Sequence, residues 1–237
     1  MDIAILCAVA LVATVLAWLY LSNRKPKPEK EECVDVVLSN PAEVLPEDAH
    51  LLKKPTGKQK VFLGLMLIAL CAMSVALELI YDKNTLLDNL KLITLLALLF
   101  TAAYVDAREK IIPNMVVLAG LVLRVAFWVA ELFVIPDKFL SVVKDNLLAC
   151  LLVVIFFVIG VLVIKGGLGM GDIKLMLVMC LFQGFYGVVS ALFCALFAAF
   201  VYAIVVLIMK NKSRNDSVAF APAILLGTLL SVFLTGM

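Results

Sequence analysis

Residues 147–185 read LLACLLVVIFFVIGVLVIKGGLGMGDIKLMLVMCLFQGF. Two apolar runs, 147–164 and 173–185, are interrupted by Gly166-Gly167-Leu168-Gly169-Met170-Gly171-Asp172, with Lys174 just beyond. Four glycines in six positions are poor helix material, because glycine loses the most backbone freedom on ordering. The stretch therefore reads as a sharp loop joining two membrane helices. An aspartate directly after such a turn, at the mouth of an apolar helix, is costly to hold near lipid and marks a functional position. A phosphate-binding loop needs Lys then Ser or Thr right after its last glycine. Here Asp172 follows Gly171, and a carboxylate repels phosphate, so nucleotide binding is set aside.

The rest of the chain follows the same logic. Of its 237 residues 65% are hydrophobic, and the mean hydropathy is +1.13. Those values exclude an ordinary soluble domain. At roughly 20 residues per span there is room for about eight transmembrane helices, which makes an all-α polytopic membrane protein. Apolar runs fall at 3–21, 61–81, 86–105, 111–134, 147–164, 173–185, 188–209 and 218–234. Only Gln183-Gly184-Phe185-Tyr186-Gly187 separates the sixth from the seventh, as in a tight helical hairpin.

The first run lacks a basic leading region and ends in Ser22-Asn23-Arg24-Lys25 instead of a small-residue cleavage site. A retained helix is expected over 1–22. Residues 23–57 form a polar segment rich in Lys, Glu and Pro, too short and polar for a core of its own. Residues 58–237 make up the membrane-embedded core. The cysteines Cys7, Cys33, Cys71, Cys150, Cys180 and Cys194 contain no CxxC pair, so neither a zinc framework nor a disulfide set is expected. No metal, cofactor or nucleic-acid partner is called for.

Positive residues sort to one side. Arg24, Lys25, Lys27, Lys30, Lys53, Lys54, Lys58 and Lys60 bracket the polar segment, and Arg108, Lys110, Lys165, Lys174, Lys210, Lys212 and Arg214 mark later turns. The alternate turns carry mixed charge. By the positive-inside rule the 23–57 segment is cytoplasmic and both ends of the chain lie outside.

A second stretch combines charge and helix punctuation: Tyr104-Val105-Asp106-Ala107-Arg108-Glu109-Lys110-Ile111-Ile112-Pro113-Asn114. Asp106 closes the third run, and Pro113 falls in the first turn of the fourth, where a missing N–H costs little. Two runs lie between Asp106 and Asp172, so the chain returns to its starting face and both carboxylates share one side. Paired carboxyls there suggest aspartic-protease chemistry. Like charges in contact do not both ionise cheaply, so one acts as acid and the other as base. The alternative reading is that each aspartate merely caps a helix end.

At these residues the sequence resembles the type IV prepilin peptidases, membrane aspartyl proteases with a GxGD signature that also include archaeal preflagellin peptidases. Asp106 with Ile112-Pro113-Asn114 is similar to that family's aspartate and downstream IPN. Gly169-Met170-Gly171-Asp172-Ile173-Lys174-Leu175 is similar to its GxGDxKL, and Ala219-Phe220-Ala221-Pro222 with Leu226-Gly227 to a late segment. The resemblance implies that Asp106 and Asp172 are the catalytic pair, with Gly169, Gly171, Lys174, Pro113 and Asn114 around them. It implies prepilin-like precursors as substrates, cut on the cytoplasmic side of the plasma membrane between a short basic leader and an apolar stem. Many bacterial members carry a larger zinc-binding cytoplasmic domain and N-methylate the product. Segment 23–57, with Cys33 its only cysteine, stands in that place, so a form with peptidase activity alone is expected.

Several other residues have plainer readings. Lys174 is expected to snorkel to the interface, and Lys110 to reach Asp106 only if the helix continues. Pro222 is expected to kink the last span. Glu78 and Glu131 read as interface residues, and Phe193, Phe197 and Phe200 as packing. Arg124, in mid-span, should face the bundle and pair with an acceptor. A proton-coupled carrier is the rival function, since broken helices and buried carboxylates also serve transport. A non-catalytic assembly factor is a third. The carrier is disfavoured because the carboxylates cluster at one face and no inverted repeat is evident.

Overall fold

The computed structural model describes residues 2–24, 57–81, 84–163, 169–208 and 220–236. Among the described residues every regular element is a helix. They are α1 (Asp2–Asn23), α2 (Gly57–Ile80), α3 (Leu86–Glu109), α4 (Asn114–Val134), α5 (Pro136–Val163), α6 (Met170–Ile208) and α7 (Ala221–Thr235). Six of them, all but α7, are long and apolar enough to cross a membrane. The chain is a polytopic all-α membrane protein. The polar segment after Arg24, His50 and Cys33 included, and the glycines Gly166 and Gly167 lie outside the described residues.

One helix organises the bundle. In its most apolar stretch α3 is 72% buried inside the protein, whereas the other spans reach 22–33%. It touches α1, α2, α4, α6 and α7. Its start is fixed by a capping box, in which Thr85 accepts from the Asp88 amide and Asp88 accepts from the Thr85 amide. On the outer helices large apolar residues such as Leu16, Leu118, Val122 and Phe133 point away from the protein. That surface suits lipid contact, where apolar side chains lose nothing by staying outside. Phe193, Phe197 and Phe200, expected to serve packing, belong to it: all are exposed on the outer surface.

The sixth and seventh runs are not joined by a five-residue loop. They are two helices that follow one another directly within α6, with the single residue Gly184 (φ 70°, ψ −168°) as the break between them. The amide of Phe185 then donates to Asp145 Oδ2 on α5 at 3.0 Å, so a neighbouring helix supplies the cap for the second half. A Cβ at Gly184 would collide with that carboxylate. Because this backbone region belongs almost only to glycine, Gly184→Ala is expected to destabilise the protein by about 1–3 kcal/mol, read as a lower melting temperature in detergent. An unchanged melting temperature would mean that the break is not held as described.

Other boundaries move for local reasons. The fifth run, expected from 147, is a helix from Pro136, because its polar first turns are helical too, with Asp137 at the favourable N-terminal end. The third run continues through Asp106 to Glu109. Pro113 is the N-cap of α4 and stands before its first turn, in an extended conformation. Pro222 stands at the start of α7 and does not kink it.

Arg124 finds its partner on its own helix. Its guanidinium makes two 3.1 Å bonds to the two carboxylate oxygens of Glu131, a fork-to-fork pair. Lys91 of α3 reaches the same carboxylate at 2.7 Å and Asp88 at 2.8 Å. Glu131 is fully buried and no interface residue. The cluster rivets α3 to α4 at the end of the hairpin opposite their connecting loop, about 22 Å along α3 from Asp106 at 1.5 Å per residue.

Candidate active site

The C-terminal turn of α3 carries Asp106. The helix stops at Glu109 because Pro113 and the residue before it resist helical geometry. Lys110 takes a left-handed conformation (φ 51°) and its amide donates to the Asp106 carbonyl at 2.8 Å. The helix does not continue, so the Lys110 side chain has no helical i+4 route to Asp106. Asp106 itself is only 5% exposed. A buried carboxylate needs donors, and one comes from α7: the Ala221 amide donates to Asp106 Oδ2 at 3.0 Å. The first amides of a helix have no partner within it, and the helix dipole favours an anion there. The late segment Ala219-Phe220-Ala221-Pro222 thus meets Asp106, with Phe220 as the N-cap and Pro222 in the opening turn.

Asp172 lies in the first turn of α6, half-buried, its amide donating to the Gly169 carbonyl at 3.1 Å. The surrounding glycines answer to close approach. A Cβ at Gly171 would lie 3.1 Å from Ile112 Cβ, tighter than ordinary contact, so α6 begins hard against the α3–α4 loop. A Cβ at Gly169 would lie 2.9 Å from Asp172 Oδ2, in the space where that carboxylate folds back. Lys174 Nζ donates to Asn114 Oδ1 at 3.2 Å, joining the first turns of α6 and α4. Although its side chain is exposed, Lys174 is therefore engaged with Asn114 and does not simply snorkel.

The structure brings together Asp106, Gly169, Gly171, Asp172, Lys174, Pro113 and Asn114 at one end of the bundle. The contact of Gly171 with Ile112 and the Lys174–Asn114 bond hold the start of α6 to the α3–α4 loop, which sets Asp172 near the end of α3 that carries Asp106. Around them stand Arg24, Arg108 and Lys110, with Arg24 Nη2 paired to Glu109 Oε2 at 2.8 Å. Besides the Lys174–Asn114 bond, two contacts were not foreseen from the sequence: the Ala221 amide on Asp106 and the Arg24–Glu109 pair. Pro222 signals the first, since proline early in an apolar run announces a helix start and its free amides. Nothing local signals the second. Among the described residues no three His, Cys, Asp or Glu side chains gather in a way that would hold a metal ion.

Residues 93–204 match the family model described as the type IV leader peptidase family. Over these residues, a little under half of its length, the chain is similar to that family. The match takes in both aspartates, Ile112-Pro113-Asn114 and the glycine-rich turn. No curated protein and no solved structure matches the chain. The match supports a leader peptidase role in general terms, and the carboxyls of α3 and α6 both fall inside it. The α7 segment lies past the end of the match and still supplies the donor to Asp106.

Proposed function

We propose that this protein is an integral-membrane aspartic endopeptidase that removes the short basic leader from prepilin-like precursors at the cytoplasmic face of the plasma membrane. The observation that supports the reading is that the α6 start carrying Asp172 is held against the α3–α4 loop that follows Asp106, inside the region similar to the leader peptidases. A neighbouring pair of carboxyls shares one proton. The ionised member takes a proton from water, and the water oxygen attacks the scissile carbonyl. The protonated member gives its proton to the carbonyl oxygen, and the leaving amine is protonated as the tetrahedral carbon collapses. The Ala221 amide that donates to Asp106 Oδ2 holds this carboxyl in place.

The surroundings favour this chemistry. A helical peptide keeps its carbonyls shielded, so the substrate must be extended where it is cut. The first amides of a helix have no partner within it, so the opening turn of α6 around Asp172 suits pairing with such a strand. Arg24, Arg108, Lys110 and Lys174 at the same end support a cytoplasmic orientation under the positive-inside rule. The short 23–57 segment with its single cysteine favours cleavage without N-methylation. The test is to reconstitute the full chain in vesicles with a synthetic precursor spanning leader and stem, and to weigh the products by mass spectrometry. One cut at the leader–stem junction and a new amino terminus without an added methyl are expected. A cut within the stem, no cut, or a methylated product would contradict the reading.

A further inference from the structure

A cavity of about 560 Å³ opens at the same end of the bundle as the two aspartates, lined by Leu19, Tyr20, Asn23 and Arg24 of the α1 end and by Pro113, Asn114 and Met115 of the α4 start. That volume lies within the usual range for binding pockets. Its walls are tied to both catalytic elements. Arg24 bonds Glu109, three residues beyond Asp106, and Asn114 accepts from Lys174, two residues beyond Asp172. Helices α1 and α4 both pack on α3 but make no contact with each other. The cavity therefore continues sideways into a groove over α3. Along that groove Leu16 and Leu118, one turn from Leu19 and Met115, are exposed.

The polarity of the cavity changes with depth. Toward the bilayer it offers Leu19 and Met115; at the rim it offers the amides of Asn23 and Asn114 and the guanidinium of Arg24. Arg24 Nη2 is engaged with Glu109, but Arg24 Nη1 is buried with no hydrogen-bond partner among the described residues. A buried charged donor left open is costly unless something else accepts from it. The peptidase reading supplies an occupant of matching layout. An apolar stem remains in lipid and reaches the aspartates only from the side, and its unwound end presents free backbone carbonyls.

We propose that the groove between α1 and α4 receives the apolar stem of the precursor from the bilayer, and that Arg24, Asn23 and Asn114 hold its unwound backbone at the rim beside Asp106 and Asp172. The proposal rests on the peptidase reading for the identity of the occupant. Lipid filling the same groove is the competing occupant, and the test separates the two.

The photoreactive residue p-benzoylphenylalanine is placed at Leu19, Met115 or, as a control, Phe133 at the far end of α4, each in the full-length Asp172→Asn protein co-expressed with a precursor. Illumination is expected to give precursor adducts at 19 and 115 and none at 133. Adducts to lipid alone at 19 and 115, or equal capture at 133, would overturn the proposal. If Asp172→Asn still cuts the precursor, the catalytic assignment fails separately, because adducts report on the groove whether or not cleavage occurs. In the otherwise native enzyme Arg24→Gln is expected to raise KM about tenfold with kcat within about twofold, the loss expected for one charge-assisted bond. A fall in kcat and melting temperature with KM unchanged would mean that Arg24 only ties α1 to α3.

Discussion

Asp106→Asn and Asp172→Asn are each expected to lower precursor cleavage by about 10²–10⁴-fold, the usual contribution of one positioned acid or base. The substitution changes almost nothing else. An asparagine amide has the volume of the acid, and its oxygen still accepts from the Ala221 amide that meets Asp106 Oδ2. Neither variant should therefore melt much below the parent. What is lost is the proton inventory: an amide neither takes a proton from water nor gives one to a carbonyl. On the proposed mechanism the two groups act on one water as a unit, so the double variant should be hardly worse than either single one. Initial rates on a prepilin-like precursor, measured beside thermal melts of each variant, check the expectation. Two variants that each keep parental rates would leave the aspartates as helix caps.

Glu131→Ala is expected to destabilise the protein by about 3–5 kcal/mol, the cost of leaving buried charge unmatched. Two cations, Arg124 and Lys91, converge on this one carboxylate, and Arg124 is only 1% exposed. With Glu131 gone, Asp88 is the remaining counter-charge at hand and touches Lys91 alone. Removing all the buried charge should do much less harm. A triple variant, Lys91→Met with Arg124→Met and Glu131→Leu, is expected to recover most of the melting temperature, since apolar replacement of a buried ion pair is often neutral. A Glu131→Ala protein that melts like the parent would show that the cluster does not hold α3 to α4.

What could be read before the fold was seen depended on how local the signal was. Apolar runs of span length identify most helices outright, because lipid allows few alternatives to a helix. The polar opening turns of α5 escaped, since Pro136 to Asn146 looks like a loop by hydropathy although Asp137 and the early proline suit a helix start. Gly184 could be seen as punctuation but not as a one-residue break, because its cap comes from Asp145 on another helix. Among the site residues, Asp106 and Asp172 were legible through their glycine and proline neighbours and the even number of crossings between them. The Arg124–Glu131 pair was legible in principle: residues seven apart lie two turns along one helix face. Lys91 joining them across α3, and Ala221 reaching Asp106 from 115 positions away, come only from packing.

The central claim is that the carboxyls of α3 and α6 meet around a single water at one face of the membrane. In a background with the six native cysteines replaced, cysteines placed at 106 and 172 together test it through a short bifunctional methanethiosulfonate. Rapid intramolecular cross-linking, with both positions labelled by an impermeant thiol reagent from the cytoplasmic side alone, is the predicted result. Failure to cross-link under conditions where each cysteine is labelled, or labelling of the two from opposite sides, would contradict it.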